Sequence, residues 1–282
     1  MNNYNDYKRV AAIHDISCVG RCSLTVALPL LSAAGIETNI IPTAILSTHT
    51  GEFQGYTWHD LTDEILPIAK HWATLKRHYD AIYTGYLGSI RQLSIVDQVF
   101  SLIGDAGTLR YVDPVMADNG RLYANFTEEY VREMKKFCEK ADIIVPNITE
   151  ACFMLGIEYK EGPYTKSFVE SLLRRLSEFG VRAVVLTGVW FAEKKYGAAA
   201  LDCSSGEITY ALEEHIPGCF HGAGDVLASY FLAEYMNAKS IAASIASAVH
   251  FTHRAIVETK KSGEPLRYGL CFEKLLKADR AQ

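Results

Sequence analysis

Along most of the chain, short apolar runs rich in β-branched side chains alternate with longer stretches whose apolar residues recur at helical spacing. The first run, RVAAIHD at 9–15, leads through a polar turn into SLTVALPLLSAAG at 23–35, which predicts strand, loop and helix in that order. The unit recurs in ETNIIPTAIL (37–46) with a helix over 60–76, in DAIYTGYLG (80–88) with a helix over 90–104, and in TLRYVDPV (108–115) with a helix over 127–140. DIIVPN (142–147), a helix from Thr149, another over 165–179 and VRAVVLTG (181–188) continue the series. The rhythm then changes. YGAAALD (196–202) and EITYAL (207–212), joined by CSSG, read as an antiparallel hairpin, and helices over 222–236 and 239–260 close the chain.

Strands alternating with helices require right-handed crossovers, and hence a mostly parallel sheet covered on both faces. Ligands of such sheets bind at the carboxyl ends of the strands. The chain has no linker-like stretch and no repeat of 20–50 residues, and the polar EYKEGPYT (158–165) reads as a surface loop, so a single domain over 1–282 is expected.

Composition narrows the choice of partners. Apolar residues make up 49%, charged residues 22%, and the net charge of −5 offers no basic excess for nucleic acid. The longest apolar stretches fall short of the roughly 20 residues that span a bilayer, and MNNYNDYKRV lacks the apolar centre of a signal peptide. The seven cysteines contain no CxxC pair, which fits reduced thiols in the cytoplasm, with Cys18 and Cys22 as small buried side chains rather than a zinc site. His250 and His253 share a helix face without a third ligand nearby, and packing or surface exposure accounts for them.

Polar residues just after strands mark the chemistry at four junctions. Asp113 ends a strand at DPV, with Asp118 five residues later. Asn147 and Glu150 follow the next strand in PNITE, where the spacing also matches a capping box. Thr187 and Gly188 offer a hydroxyl and a flexible turn. Lastly, HGAGD (221–225) places Gly222, Ala223, Gly224 and Asp225 at a helix start, where free amides would stabilise a phosphate. A dinucleotide fingerprint fails there on position and spacing, and the chain has no Walker loop.

Taken in order, TGYLGS (84–89), VDPVM (112–116), VPNITE (145–150) and HGAGD resemble the ribokinase superfamily, and within it the pyridoxal kinases; LSTHTGEFQGYTW (46–58) resembles their substrate-side loop. The resemblance covers most of the chain and implies a three-layer ribokinase-like α/β fold, ATP-dependent phosphorylation of the 5′-hydroxymethyl group of vitamin B6, and a homodimer. It further implies that Asp225 is the catalytic base, with the amides of Gly222, Ala223 and Gly224 as phosphate donors. Asp113, Thr187 and Gly188 then lie beside ATP, Asn147 and Glu150 organise Mg²⁺ and its waters, and Asp118 sits where a K⁺ or Na⁺ ion adds positive charge. Thr50 and Tyr86 would contact the pyridine ring, with Gly85 and Gly88 shaping the loop around Tyr86.

Two departures stand out. Val145 replaces a frequent threonine, and Asp15 stands where many pyridoxal kinases have serine beside the ring. Asp15 with Ser17 and Gly20 also resembles the early loop of hydroxymethylpyrimidine kinases, which gives the alternative substrate class. A nucleotide-binding sensor without turnover is the alternative outside enzymes, and Asp225 argues against it, because binding alone needs no base at the reacting hydroxyl.

Overall fold

A computed structural model describes residues 7–191 and 194–279. In chain order the elements are β1 (Arg9–Ser17), α1 (Leu24–Ala33), β2 (Glu37–Leu46), β3 (Trp58–Asp60), α2 (Thr62–Thr74), β4 (Ala81–Thr84), α3 (Ile90–Ile103) and β5 (Leu109–Val112). There follow β6 (Ala117–Asp118), β7 (Arg121–Leu122), α4 (Glu128–Cys138), β8 (Ile143–Ile144), α5 (Ile148–Leu155), α6 (Lys166–Ser177) and β9 (Ala183–Phe191). The last part holds β10 (Lys195–Asp202), β11 (Ile208–Glu214), α7 (Ala223–Met236), α8 (Ile241–Ser262), a single 3-10 turn (Leu266–Tyr268) and α9 (Glu273–Asp279).

Nine strands form one sheet in the order β11-β10-β9-β8-β5-β4-β1-β2-β3. The centre, from β9 to β2, is parallel, while β3 at one edge and β10 and β11 at the other are antiparallel.

The two-residue period of a strand sends alternate side chains to opposite faces. Ala11, Ile13, Ile82, Val112, Ile144 and Val184 therefore join one core, against α2 to α6. Their neighbours Val10, Ala12, Tyr83, Tyr111, Ile143 and Val185 join the other, against α1, α7 and α8. This makes the three-layer α/β arrangement anticipated above. None of the described helices is long and apolar enough to cross a membrane.

Several short elements escape the periodicity. β3, β6 and β7 are two or three residues long, too short for an alternating pattern to register, and the strand read from DIIVPN shrinks to Ile143–Ile144. Thr187 and Gly188 lie inside β9 rather than in a turn after it. Gly188, at φ +73°, is the extra residue of a bulge, since Val189 pairs with Gly197 and Thr187 with Ala198. The chain does not close on α8, because the 3-10 turn and α9 follow it. Cys22 is buried as expected, whereas Cys18 is exposed.

Helix starts separate into two kinds. Ser89, Thr127, Asn147, Thr165 and Ser240 each accept a backbone amide and cap α3, α4, α5, α6 and α8. Helices α1 and α7 begin at Ser23 and Gly222 with no side-chain cap, which leaves amides for another partner.

α7 is held on the sheet by Phe231, fully buried and stacked on Tyr111 and Tyr235. Phe231→Ala should cost about 3–5 kcal/mol by leaving a cavity there. A drop in the denaturant midpoint with an unchanged m-value is the expected readout; a change under about 1 kcal/mol would show that α7 is not anchored through this ring.

Candidate active site at the carboxyl ends of the strands

β1, β4, β5 and β8 deliver polar residues to one end of the sheet, and the start of α7 covers them. Tyr83 on β4 lies within hydrogen-bond distance of Ser229 on α7 (3.3 Å), and the Tyr111 hydroxyl on β5 donates to the Ala228 carbonyl (2.8 Å). Two buried tyrosines thus fix the register of α7 over the sheet, and with it the position of Asp225 in the first turn.

Asp225 is half-buried, and burial pushes its carboxyl up to about 7, with the Asp15 carboxylate adding to the rise and a hydrogen bond from the Ser23 amide opposing it. Asp113, buried at the end of β5, is raised by burial and then by the carboxylates of Glu150 and Asp225. The structure therefore brings Asp113, Glu150 and Asp225 into one electrostatic group, and among the described residues no lysine or arginine is a leading charge acting on them.

Glu150 and Asn147 form a full capping box at the start of α5. Glu150 Oε1 accepts the amides of Met116 (3.0 Å) and Ala117 (3.4 Å), Oε2 accepts that of Asn147 (2.9 Å), and the Asn147 side chain bonds the Glu150 amide and the Ala117 carbonyl. Burial still pushes Glu150 up to about 8. Both side chains thus lock the β6–β7 hairpin against α5. Asp113 accepts no hydrogen bond among the described residues, so it is the carboxylate of the group with most capacity left for a ligand. Thr187 meets Asn147 through an isolated parallel bridge, its amide donating to the Pro146 carbonyl (2.9 Å), which places β9 beside this box.

At the glycine-rich start of α7 the residues play unequal parts. Gly222, at φ +73°, packs so closely that a Cβ would lie 2.0 Å from the Arg21 carbonyl oxygen, so its glycine serves the fit to the α1 approach. The Ala223 amide already donates to the Phe220 carbonyl (3.3 Å), which removes it from the expected phosphate donors. Gly224 is exposed, with open space around its Cβ position.

On the substrate side, the β1–β2 register shifts between His14 and Ile16, where β2 inserts an extra residue between Pro42 and Ile45 opposite Asp15. Asp15 is buried and accepts the Ser17 hydroxyl (3.1 Å) and that of Ser23; burial nonetheless raises its carboxyl. Tyr86 is half-buried, tilted on Phe126 at 5.6 Å, and pushed up to about 12 by burial and by Asp15. Asp15 and Tyr86 are therefore near enough for the carboxylate to act on the phenol. Thr50 lies exposed on the loop between β2 and β3, whereas the Thr48 hydroxyl is buried with no hydrogen-bond partner among the described residues. That loop is tied down by His49, whose Nε2 lies 2.5 Å from the Arg267 carbonyl while Nδ1 accepts the Gly51 amide (3.1 Å). Asp118 is exposed at the β6–β7 turn.

Sequence reasoning missed Ser23. It has φ +52°, bonds Asp15 through its hydroxyl and Asp225 through its amide, and so joins the two ends of the site. Its signal was a serine before a helix, which reads as an ordinary N-cap; the structure shows no such cap.

The sequence profile of the phosphomethylpyrimidine kinase family matches residues 31–267, and the chain belongs to that family. Within it the chain is similar to pyridoxal kinases. A Lactobacillus plantarum pyridoxal kinase is 30% identical, with a TM-score of 0.87, covering 98% of this chain and 97% of that one. A Bacteroides thetaiotaomicron protein, provisionally named a phosphomethylpyrimidine kinase, is 36% identical, with a TM-score of 0.94 and coverage of 99% and 96%. A second crystal form of it contains pyridoxal, again at 36% identity, with a TM-score of 0.91 and coverage of 96% and 95%. A Schizosaccharomyces pombe protein provisionally named a pyridoxal kinase is 28% identical over 256 residues, covering 86% of this chain and 79% of its own.

The raised carboxyl of Asp225 has a consequence for folding. Its folded value of about 7 exceeds the ordinary 3.8, so between those pH values the folded chain binds more protons than the unfolded one, and this group's contribution to stability falls as pH rises through the window. Asp225→Asn should remove that slope and leave the ligand-free protein more stable at pH 8 by on the order of 1–3 kcal/mol. Denaturant titrations of both proteins at pH 5 and 8 check it; equal stabilities at pH 8 would refute it.

Proposed function

We propose that the chain is a single ribokinase-like domain that transfers the γ-phosphoryl group of ATP to the 5′-hydroxymethyl group of B6 vitamers. The observation that carries this reading is the Asp225 carboxyl, tuned to about 7 at the uncapped start of α7 and facing the buried Asp113. Family membership and the pyridoxal-containing structure of a relative support it.

Asp225 takes the proton of the substrate hydroxyl as its oxygen attacks phosphorus. A base poised near the working pH combines a useful deprotonated fraction with real proton affinity. In this reading the γ-phosphoryl group rests against the amides of Gly222 and Gly224 at the start of α7, the Ala223 amide being engaged with the Phe220 carbonyl. Phosphoryl transfer depends mainly on such positioning and on charge stabilisation. Tyr83 and Tyr111 act one layer below by holding α7 in place. Tyr86 offers its ring to the flat heterocycle, and Asp15 faces the ring's protonated nitrogen or an amine substituent.

The uncompensated carboxylates of Asp113, Glu150 and Asp225 fit a hard divalent cation with oxygen ligands, as Mg²⁺ is. Asp113 would hold it, with Glu150 and Asn147 shaping the shell of waters; when bound, Mg²⁺ supplies positive charge beside the phosphate oxygens. Asp118 is the proposed neighbour of a monovalent cation, K⁺ or Na⁺. A cytoplasmic homodimer completes the proposal.

Phosphorylation of hydroxymethylpyrimidine is the second reading, favoured by the name of the matching family and by Asp15 in the early loop. A coupled assay with ATP, Mg²⁺, pyridoxal, pyridoxamine, pyridoxine and hydroxymethylpyrimidine separates the two. Turnover confined to the pyrimidine would overturn the first reading, and no turnover on any would favour a sensor.

Asp225→Asn should lower kcat about 10²–10⁴-fold with ATP binding intact, and the native kcat/KM should rise with pH through about 7. Retained turnover in the variant would remove Asp225 as the base. Asp15→Ser should change the ratio of kcat/KM among the three vitamers; equal ratios before and after would exclude Asp15 from specificity.

A further inference from the structure

Beside the phosphate cradle lies a second cluster that the proposed chemistry does not use. Glu52, on the loop between β2 and β3, meets Cys219 and His221, on the loop between β11 and α7, with one ligand atom from each within 4.8 Å of the others. The three supply a carboxylate oxygen, a thiol sulfur and an imidazole nitrogen, a donor set suited to zinc. Glu52 and Cys219 are exposed and His221 is partly covered, so an ion can enter from solvent.

A further observation favours a cation here. His221 Nε2 is shielded from solvent and makes no hydrogen bond among the described residues, although Glu52 Oε1 lies 3.4 Å away. A shielded ring nitrogen with no hydrogen bond is uncommon and costs free energy that a metal bond would recover. Gly51 makes the convergence possible, because a Cβ there would lie 2.6 Å from His221 Cε1.

We infer that Glu52, Cys219 and His221 form a zinc-binding clasp that joins the β2–β3 loop to the loop entering α7. On binding, the Cys219 thiol gives its proton to solvent and its sulfur bonds the ion, His221 binds as the neutral imidazole, and water fills the fourth position. The clasp spans the two loops that flank the site, so occupancy restrains the segment carrying Thr50. This is separate from the phosphate-bound Mg²⁺ and does not depend on the proposed reaction.

Co²⁺ is the probe, because a cobalt–thiolate bond gives a charge-transfer band in the near ultraviolet. Titration of metal-depleted protein should produce this band at one equivalent, Zn²⁺ should abolish it by competition, and hydrogen exchange over 50–57 should slow with Zn²⁺. Cys219→Ser should lose the band, His221→Asn and Glu52→Gln should weaken Co²⁺ at least tenfold, and Cys18→Ser should leave it unchanged. Glu52 is an exposed loop residue, so Glu52→Gln tests the site without threatening the fold. No band in the native protein, a band that survives Cys219→Ser, or unchanged affinity in Glu52→Gln would each overturn the inference.

Discussion

The structure turns on four carboxylates, Asp15, Asp113, Glu150 and Asp225, gathered at one end of the sheet, all but the half-buried Asp225 deeply covered. Burial alone would make such a group costly, and mutual repulsion adds to the cost. Backbone amides and hydroxyls answer it in part: three amides for Glu150, two hydroxyls and its own amide for Asp15, and the Ser23 amide and its own for Asp225. The raised carboxyls record what is left. The surrounding fold follows from this need, because strands that end together and helices that start there are what bring amides to one place.

Most of that framework was legible in the sequence, for a physical reason. Long elements bury a face, so their apolar period is enforced by the core: the cores divide Val10 from Ala11 and Tyr83 from Ile82 as strand alternation requires. Short elements are fixed by single hydrogen bonds, which leave no period. The β6–β7 hairpin depends on Glu150 reaching back to Met116 and Ala117, a contact between residues more than 30 positions apart.

The site was legible in its residue types and less so in their roles. Asn147 and Glu150 allowed both a cap and a metal shell, and the structure shows the cap in full, which is why direct ligation is proposed for Asp113. The three residues of Gly222, Ala223 and Gly224 looked equivalent as a string. In space one fits against Arg21, one amide is engaged and one is open. Such distinctions arise from contacts with distant segments, and a local pattern does not encode them. Ser23 and His221 were overlooked for the same reason, since their partners are far along the chain.

Ser23 also sets a limit on how this pocket can diverge. Its hydroxyl serves the carboxylate proposed to choose the substrate, its amide serves the carboxylate proposed to deprotonate it, and its positive φ holds both in one backbone geometry. Recognition and proton affinity therefore share a single mechanical and electrostatic link. A chain that alters residue 15 to accept a different ring also shifts the charge felt at Asp225, so new specificity and altered rate would be inherited together unless a second change at Ser23 separates them.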